Sequence, residues 1–280
     1  MAFFGTPDFS ARFLQGLIED PYFEVVGVIT QPDEPVGRKK ILTAPPTKIL
    51  ALEKCIQVFQ PVKMKDEEFL KAVESLKADV FIIVAYGRIL PQALLELPRL
   101  GCINVHPSLL PKWRGPSPMQ SAIVAGDSET GISVMKIDAE MDHGPILAQK
   151  AIALQPSETV ESLTNTVVHV GVPLLLETLK TYHAGMIKPV EQDHSRATFC
   201  KLLTREDGQI NLVDDPKILD QKIRAYNPWP GTWTILERAG KPLRVKILKA
   251  KLEQGMLELT QVQPEGGKPM TWADFERGQR

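Results

Sequence analysis

Val80-Phe81-Ile82-Ile83-Val84-Ala85 is an unbroken apolar, β-branched run, and Cys102-Ile103-Asn104-Val105 follows one segment later with His106-Pro107 at its end. Continuous apolar strands of this kind are buried on both faces of a parallel sheet. Toward the N-terminus, Phe3-Phe4 closes a short strand and Val25-Val26-Gly27-Val28-Ile29 makes another, with amphipathic helical stretches expected over 9–19, 47–54 and 67–76. Strands alternating with helices predict an α/β fold, a Rossmann-like N-terminal domain with a mostly parallel sheet. Further on, apolar spacing through Val160, Leu163, Val167, Val170, Leu174 and Leu175 predicts a long helix over 157–185, interrupted by Pro173.

The pattern changes after residue 206. Trp233-Thr234-Ile235-Leu236, Leu243-Arg244-Val245-Lys246-Ile247-Leu248 and Met256-Leu257-Glu258-Leu259 are short strands separated by glycine, which predicts a small antiparallel C-terminal β-barrel of OB-like type. The expected organisation is an α/β domain over 1–190, a polar linker over 191–205 and the barrel over 206–280.

In open α/β sheets, ligands bind outside the carboxyl ends of the strands. Asn104 and His106 stand there, two residues apart, so their side chains leave one face of the strand. The segment after them, from Pro107 to Pro118, carries four prolines and one glycine, which forces an ordered loop and excludes helix or central strand. Gly5-Thr6-Pro7 reads as a tight strand-to-helix turn, and the chain has neither G-x-G-x-x-G nor Walker glycines, so nucleotide phosphate binding is poorly supported.

Apolar residues make up 43% of the 280 positions and the net charge is −1, which fits a soluble globular protein and excludes extended disorder. Cys55, Cys102 and Cys200 are widely spaced, and the five histidines show no ligand spacing, so neither a disulfide framework nor a metal site is expected. With no signal-like segment and no membrane span, the expected location is the cytoplasm. Charge is unevenly placed: residues 201–280 carry about +3 and the remainder about −4, and Arg238, Lys241, Arg244, Lys246, Lys249 and Lys251 crowd together. Period-two spacing puts Arg244 and Lys246 on one strand face, which suggests a surface for a polyanion.

An amide donor beside an imidazole suits acyl-type transfer. The amide N–H steadies a tetrahedral oxyanion, and an imidazole that titrates near neutrality takes a proton from the nucleophile and returns it to the leaving group.

The run Asn104-Val105-His106-Pro107-Ser108-Leu109-Leu110-Pro111-Lys112-Trp113-Arg114-Gly115, with Ile137-Asp138-Ala139-Glu140-Met141-Asp142-His143-Gly144-Pro145, resembles the formyltetrahydrofolate-dependent formyltransferase family. Phe4-Gly5-Thr6-Pro7-Asp8-Phe9, Ala85-Tyr86-Gly87-Arg88-Ile89-Leu90-Pro91 and Ala225-Tyr226-Asn227-Pro228-Trp229-Pro230-Gly231 extend the resemblance over nearly the whole chain. It implies a catalytic trio of Asn104, His106 and Asp142, with Asp142 holding the imidazole's tautomer. It also implies 10-formyltetrahydrofolate as formyl donor, contacted by Ser108, Leu109, Leu110 and Pro111 and enclosed by Tyr86, Gly87, Ile89, Leu90, Asp138 and Gly144. His143 stands where a small residue or threonine is expected. In members that act on tRNA, a loop corresponding to 31–41 approaches the acceptor stem. Arg38, Lys39 and Lys40 match it, and Arg244, Lys246 and Lys249 are further tRNA candidates. The implied acceptor is initiator methionyl-tRNA and the implied state a monomer. A nucleotide-linked amino sugar is the alternative acceptor; formyl hydrolysis and a non-catalytic RNA-binding role are weaker readings.

Overall fold

The computed structural model describes residues 1–37, 39–238 and 240–278, and Arg38 lies outside the described residues. The chain divides into two compact units. The first comprises Met1–Arg114, Gly131–Ile152 and Asn165–Phe199; the second comprises Gly115–Thr130, Ala153–Thr164 and Cys200–Arg280.

The first unit is built on β1 (Ala2–Gly5), α1 (Asp8–Glu19), β2 (Gly27–Ile29), the hairpin β3 (Glu34–Val36) and β4 (Ile41–Thr43), and α2 (Pro46–Glu53). Then come β5 (Val58–Phe59), α3 (Glu67–Ser75), β6 (Phe81–Val84), α4 (Gln92–Leu95) and β7 (Cys102–His106). After α5 (Pro118–Ala125), which belongs to the second unit, follow β8 (Glu129–Lys136), β9 (Ile146–Ala153) and α6 (Val160–His183). The sheet order is β5-β2-β1-β6-β7-β8-β9, parallel from β5 through β7, with β8 antiparallel to β7. Strand order reverses between β1 and β6, the switch point at which such sheets open a crevice.

Local chemistry explains the junctions. Gly5 is tightly enclosed: a Cβ there would lie 2.7 Å from Ser10 Cβ and 2.9 Å from the Val84 carbonyl, so the turn into α1 needs glycine. Thr47 Oγ1 donates to the Gly5 carbonyl at 2.9 Å and binds Thr30 Oγ1 at 2.9 Å, fastening α2 beside the same corner. The two-sided burial read from the apolar runs is seen directly, since every residue of β1, β2 and β6 is buried.

Contrary to the expected interruption, α6 runs through Pro173 without a break. Proline costs a helix interior about 3 kcal/mol. Buried Val160, Leu163, Val167, Val168, Leu175 and Leu179 offset that cost by supplying the packing that a long amphipathic helix needs.

In the second unit a four-stranded antiparallel sheet has the order β10 (Thr232–Arg238), β11 (Lys241–Glu253), β12 (Met256–Pro264), β13 (Met270–Thr271). Its apolar face packs with α7 (Pro216–Tyr226) and α8 (Trp272–Arg277) around Ile210, Leu219, Ile223, Val245, Ile247, Val262 and Phe275. The sequence reading held only strands here. Yet α7 has a helical entry signal: Asp215 caps it by accepting from Lys217 and Ile218 N–H groups, and Pro216 occupies its first position. Among the described residues no helix is long and apolar enough to cross a membrane.

Candidate active site

β7 ends with Asn104 and His106 on one face, and the segment after β8 brings a carboxylate to them. The Ile137 amide donates to the Cys102 carbonyl (2.8 Å) and the Lys136 amide to the Pro145 carbonyl (2.9 Å), closing the loop against β7. Gly144 fits only as glycine, because a methyl group there would overlap the Lys136 carbonyl oxygen. Asp142 sits at φ +49°, a left-handed conformation costly for a residue with a side chain. Held there, its Oδ1 accepts from Asn104 Nδ2 at 3.3 Å while Oδ2 lies 3.6 Å from His106 Nδ1. His106 is buried and the Asp142 side chain is 15% exposed, so the pair is largely shielded from solvent.

The other imidazole nitrogen fixes the tautomer. His106 Nε2 is 2.9 Å from the Trp113 carbonyl oxygen, which can only accept, so Nε2 carries the proton and Nδ1 faces the carboxylate. The tautomer therefore rests on the Trp113 backbone, where the family resemblance had implied Asp142. The 107–118 loop folds back onto its own strand, and side-chain residue types could not reveal that.

The expected folate-contacting loop is rigidly tied. Ser108 Oγ donates to the Lys112 carbonyl (2.6 Å), and Ser133 Oγ donates to the Ser108 carbonyl (2.6 Å) while accepting from the Leu110 amide (3.2 Å). Gln149 Nε2 donates to the Leu110 carbonyl at 2.9 Å, leaving Leu109 and Pro111 as the half-exposed members of the run.

Of the residues expected to enclose the donor, Tyr86 and Leu90 turn inward. Both belong to the hydrophobic core around Phe4, Phe81 and Leu94; the Tyr86 hydroxyl donates to Met64 Sδ at 3.1 Å, and burial pushes its phenol up to about 12. What Tyr86 offers the switch point is backbone: its carbonyl accepts from Thr6 Oγ1 (3.2 Å) and Gln31 Nε2 (3.0 Å). Gly87, at φ +82°, and Ile89, 92% exposed, are the members of that segment open to solvent. Asp138 is engaged within its own loop, accepting from the Glu140 amide and, at 2.7 Å, from His143 Nδ1. The His143 ring in turn stacks on His194, with centroids 3.9 Å apart.

The stretch 191–205, read from sequence as a linker, is hydrogen-bonded into the first unit as far as Phe199. Val190 and Ile146 exchange backbone bonds at 2.8 Å, the Arg114 amide donates to the Thr198 carbonyl (2.8 Å), and Gln192 is buried with its Nε2 donating to the Gly144 carbonyl (2.7 Å). Gln192, Arg114 and the Trp113 carbonyl are site-supporting groups that sequence reasoning missed, and an isolated glutamine in a polar stretch carries no signal that could have found it.

The basic candidates stand on other elements. Lys39 and Lys40 are exposed on the turn between β3 and β4, a hairpin that also exposes Val36, Ile41 and Leu42. In the second unit the Arg244 guanidinium lies 3.8 Å from the Trp233 ring centroid, a cation–π stack. Pairing of β11 with β12 shifts register between Ile247 and Lys249, and that bulge switches the alternation: Val245, Ile247 and Ala250 face the core while Lys246, Lys249 and Lys251 are exposed.

A family model described as formyl transferase matches residues 1–179, and one described as formyl transferase, C-terminal domain, matches 202–255. Methionyl-tRNA formyltransferase of Roseiflexus castenholzii is 41% identical over 302 aligned positions, covering all of this chain and 96% of that protein. The enzyme of the same name from Caldicellulosiruptor saccharolyticus is 38% identical over 99% of this chain and 96% of its own. Among solved structures, HypX from Aquifex aeolicus aligns with TM-score 0.69 at 19% identity, over 100% of this chain and 48% of that one. The sugar 3N-formyltransferase WlaRD aligns with TM-score 0.66 at 18% identity, over 90% and 86%. Identities that low establish the fold alone. The two family models and the full-length relatives go further, and by them this chain belongs to the formyl transferase family.

Proposed function

We propose that the protein transfers a formyl group from 10-formyltetrahydrofolate to the free α-amino group of initiator methionyl-tRNA. The observation that carries the chemistry is the convergence of Asn104 and His106 on Asp142 at the carboxyl end of β7. The full-length relatives, methionyl-tRNA formyltransferases by name, support the acceptor.

In this reading the amine nitrogen attacks the formyl carbon, and Asn104 Nδ2 donates to the oxygen as it becomes an oxyanion. The attacking amine loses a proton to His106 Nδ1, the ring nitrogen left available by the Trp113 contact. The bond from the formyl carbon to the donor nitrogen then breaks, and that nitrogen takes the same proton. Asp142 Oδ2 faces Nδ1 from 3.6 Å, beside the nitrogen that carries the proton in between. The reduced pterin would lie between the tied backbone of 108–111 and the exposed Gly87 and Ile89, with Asp138 and Gly144 shaping the third side. A planar heterocycle needs that combination of fixed polar backbone and apolar edge.

Lys39 and Lys40, with Arg38, and on the second unit Arg244, Lys246 and Lys249, are the proposed phosphate contacts. Such contacts give affinity and salt dependence and do not read sequence. The reading places the enzyme in the cytoplasm, working as a monomer. The test is formyl transfer from labelled 10-formyltetrahydrofolate to charged initiator tRNA, uncharged tRNA and nucleotide-linked amino sugars in parallel. Label on charged tRNA alone is the expected result, and label on a sugar with none on tRNA would overturn the acceptor.

A further inference from the structure

Two backbone segments hold His106 from opposite sides: the Trp113 carbonyl at Nε2 and the Asp142 carboxylate facing Nδ1. A pair of buried side chains joins those segments. Arg114 follows Trp113 directly, is 3% exposed, and directs Nε (3.1 Å) and Nη2 (2.7 Å) onto Gln192 Oε1. Gln192, 5% exposed, donates from Nε2 to the carbonyls of Asp142 (3.0 Å) and Gly144 (2.7 Å).

The polarity of this chain is forced. A guanidinium only donates and a carbonyl only accepts, so the Gln192 amide has one orientation and cannot flip. Arg114 is fixed in its turn, because Nη2 also reaches His194 Nδ1 at 2.8 Å, and the His194 ring is stacked on His143, whose Nδ1 is held by Asp138. The Gln192 donor thus fastens the backbone of Asp142, a residue held at φ +49°.

We propose that Arg114 and Gln192 are positioning residues that set the separation of His106 and Asp142. This rests on the reading of the site as a formyl-transfer centre. They touch no reacting atom; they link the Trp113 turn to the Asp142 turn, so the two contacts on the imidazole are held as one unit. Catalytic geometry tolerates little play, and a displacement of about 1 Å costs on the order of 10²-fold in rate.

The test uses Gln192→Glu, Gln192→Ala and Arg114→Lys in the full-length protein. Gln192→Glu keeps an acceptor for Arg114 and so preserves the buried cation's partner, but it replaces the two donors to the Asp142 and Gly144 carbonyls with an acceptor. The expected result is a kcat lowered about 10- to 10²-fold with the folate KM changed less than about threefold, and displaced His106 ring resonances in NMR spectra of the substrate-free protein. Gln192→Ala should show the same split of kcat from KM with a larger loss of melting temperature. Arg114→Lys, which gives up the two-nitrogen grip on Gln192, should fall between Gln192→Glu and the native enzyme. A Gln192→Glu enzyme with native kcat would overturn the proposal, as would native His106 resonances or a loss of kcat that only tracks melting temperature across the three variants. If the native protein formylated none of the acceptors while the His106 resonances still moved, the functional reading would fail and the positioning role would stand.

Discussion

At the scale of single residues, Asn104 is the clearest lever. Its amide is the donor aimed into the site from β7, and loss of one such donor commonly costs about 10²- to 10³-fold in kcat. Asn104→Ala should show that loss at saturating substrates, with folate binding by fluorescence titration little changed; a loss below about tenfold would remove Asn104 from the oxyanion. A second prediction concerns Tyr86 and Cys102, both pushed up to about 12 by burial from ordinary values of 10.0 and 9.0. Each group is neutral when protonated and is favoured in that form by the fold. Their contribution is complete below the unfolded values and disappears as pH rises toward 12. Melting temperature should therefore fall steeply between pH 9 and 12, and Tyr86→Phe should remove the part above pH 10. Equal slopes in both proteins would show that the phenol is not held in the core.

Elements carry the next level of explanation. The loop between β8 and β9 turns on Gly144, where any side chain meets the Lys136 carbonyl. Gly144→Ala should cost on the order of 1–3 kcal/mol through overpacking and should also lower kcat, because the displaced loop carries Asp142. A variant with native melting temperature and native kcat would contradict both the close packing and the coupling. The sheet was legible in the sequence because a strand buried on both faces must be apolar throughout, as 81–84 is. Asn104 and His106 were legible because alternation alone puts them on one face. What was not legible depends on contacts distant in sequence. The two histidine contacts come from separate loops, the Trp113 contribution is a backbone oxygen with no residue-type signature, and Tyr86 and Leu90 point inward for reasons only the assembled core shows. α7 was hidden for a different reason: its apolar residues share a short window with many polar ones, so the strands that follow it dominated the pattern.

For the molecule as a whole, the net charge of −1 conceals a division of labour, with an acidic first part and a basic tail. The bulge in β11 decides how that basic charge is presented. Strict alternation would put Lys249 and Lys251 on the face opposite Lys246, among the residues that pack with α7 and α8; the extra residue brings all three to solvent. An electrostatic surface built this way should be read by salt. Each phosphate contact with duplex RNA or DNA releases counterions, worth about 0.9 in the slope of log K against log salt for B-form duplex and about 0.7 for single strands. Lys246→Ala with Lys249→Ala should therefore raise the KM for charged tRNA at low salt and reduce its salt slope by about 1 to 2. Substituting Lys39 and Lys40 in the first unit should do the same independently. The two effects on log KM should add if the two pairs meet separate phosphates. A slope unchanged by either pair would take these lysines out of the tRNA contact, and an effect on folate KM in place of tRNA KM would mean that the substitutions had disturbed the fold and not the surface.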